Sequence, residues 1–159
     1  MCDMAKTIPF PQQKTTRARR HKAELLPMPR VSADELALQV HLALASMRAD
    51  GTQHDAQALL HAHVLAQSIA SAGYGALTPE QVRGADEAIL ACFARGGAEG
   101  VWCLDDAQFE AIKSIVGVYD QQLQSAPFWV LAEASERLER MRAGGANAGD
   151  ARQPMRKRA

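Results

Sequence analysis

The 159-residue chain balances 18 Lys and Arg against 18 Asp and Glu, and 47% of it is hydrophobic although only 5% is aromatic. That suits one domain large enough to bury its own core. No run approaches the roughly 18 apolar residues of a spanning helix, and residues 1–31 lack the apolar stretch of an export signal, so a cytoplasmic chain with no membrane partner is expected. Cys2, Cys92 and Cys103 are odd in number and irregularly spaced, which excludes a disulfide framework.

Alanine, the best helix former, supplies much of the apolar count, while strand-favouring residues are thinly spread. The fold class is therefore all-α. Charge is segregated: residues 1–31 hold seven basic residues against two acidic ones, 143–159 hold four against one, and the middle holds seven against 15, a net of −8. An acidic body with two basic tails is the expected layout.

Residues 1–24 show no periodicity and contain the basic run Lys14, Arg17, Arg19, Arg20 and Lys22, so they are read as a disordered basic arm. Leu25, Leu26, Pro27, Met28 and Pro29 read as an extended strap, with the prolines holding the backbone open and the large side chains anchoring it on the body.

Ser32 with Glu35 has the form of a capping box. Leu36, Val40, Ala43, Leu44 and Met47 follow at helical spacing, and Asp50 and Gly51 end this first helix. Leu38 and Leu42 widen its apolar face, so two neighbours are expected. Thr52 with Asp55 opens a second helix whose stripe is Leu59, Ala62, Ala66, Ile69 and Ala70, running to Gly73. Thr78, Pro79 and Gln81 open a third. Its expected stripe is Val82, Ala85, Ile89, Leu90 and Phe93, with Gly96 and Gly97 as its stop.

The segment 104–123 has the strongest pattern, with Phe109, Ile112, Val116, Tyr119 and Leu123 on one face and Asp105 as its cap. At about 1.5 Å per residue it spans roughly 30 Å, and it is expected to be the central helix. After Ser125 and Pro127 a fifth helix is expected over 127–142, burying Leu131, Ala134, Leu138 and Met141. The organisation is thus a compact bundle of about five helices over 25–143, with flexible basic tails at 1–24 and 144–159.

His54, His61 and His63 invite a metal reading, but on a helix His61 and His63 diverge by about 200° and His54 lies about 10 Å from His61 along the axis. Cys103 stands at a helix start where a thiolate is favoured, yet Asp105 and Asp106 oppose it electrostatically. No catalytic, cofactor-binding or metal-ligating residue is assigned, and no cofactor is expected. Phe128 and Trp129 are consecutive on a helix and point about 100° apart, so one stripe cannot bury both. They are the candidate partner-binding residues, for a protein partner or a second copy.

The segment His21-Lys22-Ala23-Glu24-Leu25-Leu26-Pro27-Met28-Pro29, with His41-Leu42-Ala43-Leu44-Ala45 and the Val101-Trp102-Cys103-Leu104 turn, resembles a group of small bacterial helical proteins whose function is not established. Some of them are labelled Fis-type transcriptional regulators. The resemblance covers roughly 21–142 and implies a regulatory or accessory role. A Fis-type helix-turn-helix would place a basic recognition helix near the C-terminus, whereas 127–142 alternates acidic and basic residues, so no recognition residues carry over.

The functional expectation is a non-catalytic binding or regulatory accessory protein acting through a macromolecular partner, with a protein ahead of DNA or RNA. The alternative is nucleic-acid binding through Lys14, Arg17, Arg19, Arg20 and Lys22, which needs only positive charge and flexibility. A small enzyme ranks third.

Overall fold

In the computed structural model, which describes residues 22–150, the chain is all helical apart from its links. A helical turn at 22–24 precedes α1 (Arg30–Ser46), α2 (Gln53–Ser71), α3 (Pro79–Glu99), α4 (Asp106–Ser125) and α5 (Phe128–Asp150). Lys14, Arg17, Arg19 and Arg20 lie outside the described residues, as does 151–159. Among the described residues no helix is long and apolar enough to cross a membrane.

Three of the five starts are local and reciprocal. Thr52 with Asp55, Thr78 with Gln81, and Asp105 with Gln108 each form a complete capping box, two orphan N–H groups being satisfied at once. The fourth signal fails: α1 starts at Arg30 with Pro29 at its cap position and no side-chain cap, so Ser32 is the third helical residue. Proline supplies the cause. It fixes its own φ and keeps Met28 extended, which lets the helix begin directly after it.

The end of α3 also departs from expectation. Gly96 and Gly97 stay helical, and Gly100 makes the turn in the left-handed region at φ 70° while its N–H donates to the Gly96 carbonyl. Gly96 is needed inside the helix because a β-carbon there would stand 2.5 Å from the Trp102 ring. That ring packs edge-on against Phe93, centroids 5.4 Å apart. The loop carrying Trp102 is fixed at further points. Gly51 and Trp102 form an isolated antiparallel bridge, the Leu104 N–H donates to the Met47 carbonyl at 2.8 Å, and Arg95 Nη2 donates to the Cys103 carbonyl and to Gln108 Oε1.

The core is a single cluster in which Met47, Ala66, Ile69, Ile112, Ile115 and Leu123 are among the most buried side chains. Helix α4 packs on α1, α2 and α3, but α2 packs on all four other helices and is the more central of the two. Its buried face is mostly alanine, Ala56, Ala62 and Ala66 beside Leu59 and Ile69, and small side chains let several neighbours approach one helix. On α3 the buried register is Ala85, Ala88, Ile89, Cys92 and Gly96, which leaves the expected core residue Leu90 exposed. On α5 Val130, Leu131 and Ala134 are buried, Leu138 is half-buried and Met141 is exposed. That helix runs to Asp150 instead of ending at Arg142.

Phe109 shares a face with Ile112 and Val116 but is only half-buried, with the Arg48 guanidinium 4.0 Å above its ring. Phe109→Ala should therefore cost about 1–2 kcal/mol in chemical denaturation, below the roughly 3–5 kcal/mol of a fully packed phenylalanine. A loss in that upper range would mean the ring is enclosed.

Candidate partner-binding groove

The strap and the start of α5 are tied together by backbone. Pro27 and Pro127 form an isolated antiparallel bridge, and the Phe128 N–H donates to the Leu26 carbonyl at 2.8 Å. Proline has no N–H, so the bridge closes through the neighbouring residue. Met28 turns inward onto the core, while Leu25 and Leu26, expected as anchors, stand more than 60% exposed.

Behind this tie lies a groove of about 260 Å³, lined by Met28 from the strap, Leu36 from α1, Leu65 and Ile69 from α2, Tyr119 and Leu123 from α4, and Phe128 and Leu131 from α5. Its walls hold no carboxylate, imidazole or thiol. Ser135 and Tyr119 bring its only hydroxyl groups, and burial pushes the Tyr119 hydroxyl up to about 12, so it stays neutral at any physiological pH. Such a lining is suited in shape and polarity to apolar groups.

Phe128 and Trp129, at the start of α5, are 44% and 40% exposed. Phe128 lines the groove and Trp129 sits at the next helical position. Together with Leu25 and Leu26 they make four large apolar side chains in solvent on segments that the Leu26–Phe128 hydrogen bond joins. The divergence of two adjacent aromatics was legible in the sequence. The groove was not, because its walls come from the strap and four helices.

The other singled-out residues do not converge on this place. Of the basic arm only Lys22 is described, exposed at the head of the strap. The histidines part company as their spacing requires. His63 is buried, with Nε2 2.7 Å from Asp86 Oδ1 on α3 and 2.8 Å from Gln67 Nε2, and its Nδ1 has no partner among the described residues. His61 is half-buried on another face, where burial lowers its pKa and the Arg142 charge adds to that. His41 meets Asp120 at 3.5 Å, joining α1 to α4. Among the described residues no three His, Cys, Asp or Glu side chains gather as metal ligands.

Asp105 is the N-cap of α4 and Asp106 lies in its first turn. Burial pushes the Cys92 thiol up, which disfavours the thiolate, and both Cys92 and Cys103 are free. Gln122 is a polar residue outside the apolar pattern of α4. It is buried, and its Nε2 donates to the carbonyls of Ala66 and Tyr74, fastening the α2–α3 turn onto α4.

In comparison with known proteins, the chain matches no family model, no curated protein and no solved structure.

Proposed function

We propose that this chain is a non-catalytic accessory protein, with the cytoplasm as its compartment, that docks a protein partner on the groove between the strap and α5. The carrying observation is that groove itself, largely apolar and walled in part by the exposed ring of Phe128, with exposed Trp129 next to it in the chain. A cavity of about 260 Å³ suits one or two large apolar side chains, and the rings beside it are of the type that dominates interface energetics. The helix-in-groove mode fits best, because anchors at positions i, i+3 and i+4 of an amphipathic helix would follow the groove. Residues 22–150 hold nine basic and 17 acidic side chains, a net of −8, which favours a partner with Lys or Arg flanking its apolar face. A regulatory role is the natural use of such a module, and agrees with what the resemblance implies.

A peptide display library selected on the immobilised full chain tests this reading. Enriched peptides should carry one or two large apolar residues, at helical spacing where there are two, with basic neighbours. Phe128→Ser combined with Trp129→Ser should weaken their binding at least about tenfold, the loss of one hot spot. Peptides that bind the double variant as well as wild type would remove the groove from consideration.

A further inference from the structure

The groove behind the strap has a ligand of fitting chemistry on its own chain. Its lining suits one or two large apolar side chains, and the charged residues next in the chain to the lining ones, Glu35, Asp120, Glu133 and Glu136, are all acidic. Residues 1–21, which lie outside the described residues, contain Ile8 and Phe10 and hold five basic side chains against one acidic, a net of +4. Lys6 precedes the apolar pair, and Lys14, Arg17, Arg19 and Arg20 follow it. Ile8 and Phe10 each stand directly before a proline, which disfavours helix at both, and in extended backbone residues i and i+2 lie on one face.

We propose that this N-terminal segment is the groove's own occupant, with Ile8 and Phe10 seated in it, and that a partner gains the groove by displacing them. It rests on the reading of the groove as a docking site for apolar anchors. Reach and composition select this segment. The 12 residues from Phe10 to Lys22 span up to roughly 40 Å, and Lys22 heads the strap whose Met28, six residues on, is itself a wall of the groove. Residues 151–159 are also basic, but Met155 is their one large apolar side chain. They continue from Asp150, about 22 Å of helix beyond Ser135, the last α5 residue in the lining.

Tethering makes a weak contact sufficient. At an effective concentration of about 1 mM, a segment whose Kd in trans is about 0.1 mM fills the groove roughly ten to one, and an incoming ligand then binds about tenfold more weakly. The net charge of −8 on residues 22–150 attracts the +4 of the segment, and salt screens that attraction.

A synthetic peptide of residues 1–21 with a fluorophore at its C-terminus, titrated by anisotropy against forms of the full chain, tests this. It should bind the chain carrying Ile8→Ser and Phe10→Ser with a Kd of about 0.1 mM, and wild type about tenfold more weakly, because wild type already holds its own segment. Leu36→Glu or Phe128→Ser, at exposed residues of the lining, added to that double variant should each weaken the peptide at least about tenfold. A peptide carrying Ile8→Ser and Phe10→Ser, with every basic residue kept, should not bind. Equal binding to wild type and the double variant would overturn the proposal. So would a peptide that binds through charge alone, or one that binds the Leu36→Glu and Phe128→Ser chains undiminished. No binding of residues 1–21 to the double variant would also overturn it; library-enriched peptides that still bind that variant would then leave the groove reading standing, and their absence would remove both.

Discussion

Ile112→Ala should destabilise the protein by about 2–5 kcal/mol, since the side chain is 2% exposed and the bundle cannot close over the space it leaves. Ile112 stands where α4 meets its neighbours, with Ile115, Val116 and Leu123 buried along the same helix. In a protein of this size each kcal/mol shifts the midpoint by about 2–4 °C, so thermal unfolding should fall by roughly 5–15 °C. Ile112→Val, which removes one methyl group, should cost only about 0.5–1.5 kcal/mol. A loss under about 0.5 kcal/mol for the alanine variant would mean that α4 does not carry the core.

The second large effect is one of sign. Gly96 and Gly97 are neighbours inside α3, and neither has positive φ. A β-carbon on Gly97 would meet nothing within 4 Å, so Gly97→Ala should stabilise by about 0.5–1 kcal/mol through helix propensity alone. A β-carbon on Gly96 would press into three atoms of the Trp102 ring, which is backed by Phe93 and whose backbone is bridged to Gly51. Neither the ring nor its loop has room to retreat, so Gly96→Ala should cost about 1–3 kcal/mol despite the same propensity gain. Denaturant melts of the two variants should move in opposite directions. Movement in the same direction would mean that the Trp102 loop is not docked as described.

These two glycines show where sequence reading reaches its limit. Capping boxes at Thr52, Thr78 and Asp105 are local chemistry, and the starts of α2, α3 and α4 were legible from residues three apart. Whether Gly96 ends a helix is decided by Trp102 folding back on it, and nothing in the glycine pair carries that information. Ser32 and Glu35 had the right form but lost to Pro29, whose fixed φ set the start of α1. The apolar periodicity of α4 matches its buried face at Ile112, Val116, Tyr119 and Leu123, yet periodicity measures one helix's best face and not how many neighbours it has. Alanine-faced α2, which packs on all four other helices, therefore carries no comparable signal of its central place.

The candidate site divides in the same way. Phe128 and Trp129 stand out in the sequence as candidates because adjacent aromatics cannot share a stripe. Helix α1 does meet two neighbours, α2 and α4, as its widened apolar face implies, but Leu38 and Leu42, the residues that suggest it, stand in solvent.

The central claim, that the groove docks a protein, is tested most directly by nuclease-treated co-purification with three forms: the full chain, a chain starting at Lys22, and the full chain carrying Phe128→Ser and Trp129→Ser. The account predicts that one protein partner is retained by the first two forms despite nuclease, and lost with the ring variant. Capture that disappears on nuclease treatment or on removal of residues 1–21, and is indifferent to Phe128 and Trp129, would contradict it and assign binding to the basic arm.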